Sequence, residues 1–217
     1  MKIKLLILLF IFCVANCFAT TKRYKAWTED ICNTEISVLT CSPGNEIYSI
    51  FGHTAVRVCN TNTGLDAVVN YGLFDFNQDS FVYRFVKGET DYMCGVENFG
   101  SFLYSYAWRG SGVKATVLDL TDVEKERIIR VLTNDLKPQN REYRYNFAFN
   151  NCATKIRDIV NFAYSGKYES LQPSEYTFRE VIGHYAANYP WYMFSFDICL
   201  GGKAYNTLMT PEEAQFL

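Results

Sequence analysis

Two short segments concentrate the residues able to do chemistry. In Tyr48-Ser-Ile-Phe-Gly-His53-Thr-Ala-Val-Arg57 a histidine opens a run with strand character. In Tyr145-Asn-Phe-Ala-Phe-Asn-Asn-Cys152-Ala-Thr-Lys-Ile-Arg157-Asp158 a cysteine opens an amphipathic helix. A thiolate in the first turn of a helix, with a histidine folded against it as base, is what thioester-forming acyl transfer requires. Only two histidines exist, His53 and His184, so the search for a base is short.

The elements that must position these residues follow from periodicity. Ile156, Ile159, Val160 and Ala163 form one helical face, and Cys152, four residues before Ile156, shares it. Asn150 or Asn151 supplies the N-cap. Cys152 is therefore expected in the first turn, pointing inward, where free N–H groups and the positive dipole end favour a thiolate and could hold an oxyanion. On the other segment Ala55 shares the face of His53, while Thr54 and Val56 take the opposite one. From residue 53 to residue 152 is 99 positions, so the two can meet only through tertiary folding. A third, orienting group is plausible on the next strand, where Asn70 can hold the second imidazole nitrogen.

Each residue also has a plainer reading. A cysteine under a helix is often only packing, and a lone histidine often only a turn residue. His184 reads as surface or packing beside Tyr185. Arg157 and Asp158 are adjacent on a helix, are read as not facing each other, and either brace the site or are solvated. The aromatic stretch Phe99–Trp108 is expected to pack in the core, with an acyl groove as the alternative.

Strands are expected at Ile36–Thr40, Thr54–Cys59, Asp66–Tyr71, Phe81–Val86, Tyr92–Val96 and Val113–Leu120, with Lys87-Gly88 as a turn. Helical spacing covers Phe99, Phe102, Leu103 and Tyr106. Thr121-Asp-Val-Glu124 is a capping box leading into Ile128, Val131, Leu132 and Leu136, with Pro138 beyond the end. A further helix is expected from Pro173 towards Asn188, stopped by Pro190. Strands with interspersed helices and no regular βαβ alternation predict an α+β fold: an antiparallel sheet with packed helices.

Lys2 and Lys4 precede an apolar stretch, Leu5–Ala15, too short to span a bilayer. Cys17-Phe-Ala19 follows with small-residue cleavage character. Residues 1–19 thus read as a secretory signal peptide cut after Ala19, leaving 20–217 as one exported domain. A lipidation reading through Val14-Ala-Asn-Cys17 meets a poor residue in Asn16. Taking Lys2 and Lys4 from the 21 basic residues leaves 19 against 23 acidic, a formal charge of −4. With no basic stripe, nucleic acid is not an expected partner.

Six cysteines follow the leader: Cys32, Cys41, Cys59, Cys94, Cys152 and Cys199. Pairing is permitted in an exported chain, with connectivity open. There is no Cys-x-x-Cys and no histidine cluster, so neither zinc nor another cofactor is expected. Aromatic residues are abundant, with 17 Phe, 16 Tyr and 3 Trp. They suit an apolar cleft, a membrane interface or simply a core.

The two central segments resemble the N-terminal periplasmic domain of the Lnb family, lipoprotein N-acyltransferases of Bacteroidota-type bacteria. Leu39-Thr-Cys-Ser-Pro-Gly44, Asn70-Tyr-Gly-Leu-Phe-Asp-Phe76 and Tyr176-Thr-Phe-Arg179 extend the resemblance from about residue 36 to the C-terminus. Histidine before cysteine also resembles the circularly permuted papain-like fold of the lecithin–retinol acyltransferase and NlpC-like enzymes. The resemblance implies Cys152 as nucleophile and His53 as base. Tyr48, Arg57, Asn151, Arg157 and Asp158 match as motif members without a role. It further implies a phospholipid acyl donor, a lipoprotein acceptor, work at a membrane surface, and no cofactor. Family members usually continue into a membrane-embedded region, whereas this chain stops at Ala214-Gln-Phe-Leu217. It reads as a piece of a longer protein or as a stand-alone periplasmic member. A cell-wall peptidase or amidase using the same dyad, and a non-catalytic envelope-binding domain, remain the alternatives.

Overall fold

Alternating apolar residues and turn-forming breaks produce a six-stranded sheet. The computed structural model describes residues 22–46, 49–74, 84, 91–146, 149–165 and 176–200, without the side chains of the last two. Strands β1 (Glu35–Cys41), β2 (His53–Asn60), β3 (Leu65–Leu73), β4 (Asp91–Asn98), β5 (Val113–Val117) and β6 (Glu142–Arg144) are ordered β5-β1-β2-β3-β4-β6. Every neighbouring pair is antiparallel. The helices are α1 (22–28), α2 (Phe99–Trp108), α3 (Asp122–Asp135), α4 (Cys152–Ala163), α5 (Phe178–Tyr185) and α6 (Pro190–Leu200). The architecture is α+β, built on an antiparallel sheet.

The sheet separates two cores. On one face Val56 and Val58 of β2 and Val69 and Tyr71 of β3 meet Ile128, Ile129 and Leu132 of α3 and Ile156 and Ile159 of α4. On the other, Leu39, Ala55 and Val68 meet Phe102 and Tyr106 of α2. Burying each large aliphatic side chain contributes roughly 1.5–3 kcal/mol, so these two seams fix how the helices lie on the sheet. Phe102 and Tyr106 thus pack as core, whereas Tyr104 and Trp108, on the far side of α2, are 71% and 82% exposed.

Polar contacts set the axial position of α4. Glu124, in the capping box of α3, also accepts the Ser165 N–H at 2.7 Å. Arg127 donates to the Ala163 carbonyl at 3.2 Å. Both grip the C-terminal end of α4, and Tyr71 donates to Asp135 at 2.9 Å to tie α3 to the sheet. With its C-terminus fixed, α4 points its N-terminus at the edge where β2 begins and β3 ends.

Several elements differ from expectation. Of the strand expected at Phe81–Val86 only Arg84 is described, and it is helical; Lys87-Gly88 lies outside the described residues. Pro190 does not merely end a helix but starts the next, α6, a position where its missing N–H costs nothing. Helix α5 begins at Phe178 behind a Thr177–Glu180 capping box, and Pro173 lies outside the described residues. The three-residue strand β6 is too short to show a period.

Glu124 yields a stability test. The backbone N–H groups of Ser165 and Thr121 hold its carboxyl down at about 2, below its ordinary value near 4.5. A depressed carboxyl contributes stability above its unfolded value and loses it as pH falls towards the folded one. Glu124→Gln is expected to lower the melting temperature at pH 7, with the gap from the parent closing between about pH 4.5 and about pH 2. Thermal scans across that range check it; a gap independent of pH would remove the charge from the explanation.

Candidate active site

The site forms at an end of the sheet. His53 is the first residue of β2, and its Cα partner on β1 is Cys41. Gly52 delivers it through a turn at φ +73°, where a β-carbon would run into the Cys41 carbonyl oxygen. Only glycine meets both demands. From the opposite face of the sheet, α4 brings Cys152 at its first position. Asn151, not Asn150, is the N-cap: its side chain accepts the Thr154 N–H at 2.9 Å while Thr154 accepts the Asn151 N–H at 2.8 Å. Asn150 instead donates to the Arg144 carbonyl at 2.6 Å and closes the loop before the helix.

Cys152 and His53 hydrogen-bond to each other through their side chains. The second imidazole nitrogen, Nε2, lies 3.1 Å from Asn70 Oδ1. Asn70 in turn donates through Nδ2 to Glu97 Oε1 at 2.8 Å. This last bond sets the orientation of the others. A carboxylate only accepts, so it pins the amide nitrogen and turns the amide oxygen towards His53. An amide oxygen also only accepts, so Nε2 carries the hydrogen. Nδ1 is then left to take the thiol proton.

Electrostatics agree with this order. Burial opposes the Cys152 thiolate, but the hydrogen bond and charge of His53 and the N–H groups of Thr54 and Ala153 outweigh it, so the thiol is more acidic than usual. Burial likewise opposes the His53 imidazolium; Cys152 and Asn70 overcome it against Arg109, and its pKa rises. Other thiols move the opposite way. Burial pushes Cys41 up to about 11 and Cys94 up to about 12, and it also raises Cys59. The five cysteines whose side chains are described, Cys32, Cys41, Cys59, Cys94 and Cys152, are all free.

A cleft of about 390 Å³ opens beside the dyad. His53, Asn70, Gly72 and Glu97 line one part; Arg109 and Ser42, Ser49, Ser105 and Ser111 give it hydroxyls and a cation, and Phe74, Phe102 and Tyr106 give it aromatic surface. Cys152 sits back from this wall, half-buried beside Gly72 and His53. A second hollow of about 440 Å³, lined by Tyr104, Ser105, Trp108 and Arg109, shares Ser105 and Arg109 with the cleft.

Other motif residues that are described have charged partners of their own. Arg57 forms a two-pronged ion pair with Asp66 at 2.7 and 3.0 Å and lies 3.8 Å over the Phe99 ring, bracing β2 against β3 and α2. Arg157 and Asp158, expected not to face each other, pair at 2.7 Å: the long guanidinium arm folds back along the helix surface. Such an exposed pair contributes little. His184 is exposed on α5, edge-on to Tyr185. Tyr48 lies outside the described residues. Glu97 escaped the sequence reading, because an acidic residue just before a helix reads as a solvated one.

The family model of the Lnb N-terminal periplasmic domain matches residues 23–184. The chain belongs to this family. No curated protein and no solved structure matches it. The Lnb domain is periplasmic by that description, and among the described residues no helix is long and apolar enough to cross a membrane. Residues 1–21, with the expected cleavage after Ala19, lie outside the described residues.

Two measurements follow. At mildly acidic pH, iodoacetamide is expected to alkylate Cys152 faster than Cys41, Cys59 or Cys94, as peptide mapping would show. Equal rates at all four would remove the activated thiolate. Glu97→Ala frees the Asn70 amide to turn over and is expected to slow Cys152 alkylation by about tenfold, the scale of one hydrogen bond. An unchanged rate would mean that Asn70 is held by other means.

Proposed function

We propose that this Lnb domain is a cysteine-dependent acyltransferase with a permuted papain-like arrangement, working at the membrane surface. The observation that carries the reading is the Cys152–His53 hydrogen bond oriented by Asn70. In the first half-reaction the Cys152 thiolate attacks the carbonyl carbon of a phospholipid acyl ester. The sulfur–carbon bond forms, the carbon–oxygen bond breaks, and His53 gives its proton to the departing alkoxide. In the second, the α-amine of a diacylglyceryl-cysteine lipoprotein attacks the thioester. His53 takes the amine proton and the thiolate leaves.

The choice of donor and acceptor rests on family membership. It gains support from the exposed Tyr104 and Trp108 beside Arg109, a combination suited to a lipid–water interface. The serine-lined part of the cleft favours a second reading, hydrolysis of a polar amide by the same dyad. The dyad's hydrogen bond weighs against a purely structural Cys152.

Intact-mass analysis after incubation with phospholipid vesicles separates these readings. An acyl-sized adduct on Cys152, released by hydroxylamine and passed to a lipopeptide amine, is the expected result. Cys152→Ser and His53→Ala are each expected to abolish transfer with the fold intact, and His184→Ala to retain it. Full activity in purified Cys152→Ser would dismiss the nucleophile. Cleavage of a cell-wall peptide without any lipid adduct would favour the hydrolase.

A further inference from the structure

One buried hydroxyl has nothing to donate to among the described residues. The Tyr143 hydroxyl is shielded from solvent and its O–H finds no acceptor, while the Gly72 N–H reaches its oxygen; buried hydroxyl donors are nearly always satisfied. The ring itself is firmly held. β6 pairs Tyr143 with Tyr92 of β4, Tyr71 packs edge-on at 6.4 Å, and the Lys155 ammonium lies 4.7 Å from the ring centroid. Phenylalanine would make the same ring contacts, so the O–H is not explained by packing.

Its surroundings point to a use. Gly72, at φ +88°, lines the cleft beside His53. A β-carbon on Gly72 would stand 3.9 Å from Cys152 Cβ and 4.0 Å from the Tyr143 oxygen. The missing side chain thus leaves an atom-sized space bounded by the nucleophile's side chain, a buried hydroxyl and a glycine on the cleft wall. Burial, with the negative charge of Cys152 and Cys94, pushes the Tyr143 phenol well above its ordinary range against the Gly72 N–H. The group therefore keeps its proton and stays a neutral donor.

We propose that Tyr143 is a catalytic residue whose hydroxyl donates to the substrate's carbonyl oxygen as that oxygen becomes an oxyanion in the space over Gly72. The inference rests on the thioester chemistry above. When the Cys152 sulfur bonds to the carbonyl carbon, the π pair moves onto oxygen, and the Tyr143 O–H stabilises it by a hydrogen bond without transferring its proton. Re-forming the carbonyl expels the alkoxide, which takes its proton from His53.

The test is Tyr143→Phe with p-nitrophenyl butyrate, an ester that asks for no lipid headgroup. Three quantities are read: the burst of nitrophenolate, the iodoacetamide rate at Cys152 against pH, and the melting temperature. The expected burst rate constant falls about 100-fold, the scale for one oxyanion donor. Alkylation is unchanged, because displacement of iodide generates no oxyanion, and the melting temperature changes little. A burst at the parental rate overturns the assignment of Tyr143 alone. Burst and alkylation falling together also overturn it, since they mark a structural role. A parental protein that alkylates at Cys152 yet gives no burst overturns the thioester reading itself.

Discussion

The hydrogen bond between Cys152 and His53 is the contact on which the rest of the architecture depends. It joins side chains delivered from opposite faces of one sheet. His53 shares the face of Ala55 and Asn70, under α2, while Cys152 belongs to α4 on the face of Val56 and Tyr71. Two such residues can meet only where the sheet ends. The histidine is therefore first in its strand and the cysteine first in its helix; Gly52, at positive φ, turns the chain into β2, and Gly72, also at positive φ, sits in β3 where its register with β4 shifts. The clamp of Glu124 and Arg127 on the far end of α4 belongs to the same constraint, since a helix that slid along its axis would carry the sulfur past the imidazole.

The pair also resolves an electrostatic conflict. A buried thiolate or imidazolium alone is disfavoured by desolvation. Side by side each stabilises the other, and the N–H groups of Thr54 and Ala153 add to the thiolate side. Cys41 and Cys94 show the contrast: burial outweighs Tyr106 and Arg109 at the one and Tyr71 and Lys155 at the other, and both are less acidic than an ordinary thiol. The difference among these thiols is one of surroundings rather than of burial. Behind the pair, Glu97 and Asn70 convert a symmetric-looking imidazole into one with a defined tautomer.

The surface of the cleft beside the pair is mixed. Hydroxyls and Arg109 occupy one part of the cleft, and aromatic rings another. The same helix, α2, supplies Phe102 and Tyr106 to the core and Tyr104 and Trp108 to the outside. One element thereby supports the His53 face of the sheet and presents an apolar, aromatic strip beside the cleft. This economy accounts for a helix that is aromatic on both sides without being wholly buried.

Local patterns determined much of this protein by themselves. Two-residue alternation located β1 to β3, and capping boxes located α3. The four-residue step from Cys152 to Ile156 placed the cysteine inward, and the alternation after His53 gave its face. These are decided by near neighbours in the chain, and so they are written in it. What the tertiary structure decided are contacts between residues far apart: the meeting of positions 53 and 152, the Glu97–Asn70 bond, and the Tyr143 hydroxyl beside Gly72. Short β6 carries no period, Glu97 resembles any solvated acid, and Pro190 reads equally as a stop or a start. Arg57 looks like a site residue from its motif, and the fold pairs it with Asp66 on the neighbouring strand. A side chain's neighbour across a sheet is fixed by register and helix placement, which depend on all the buried surfaces at once, and no stretch of sequence contains that information alone.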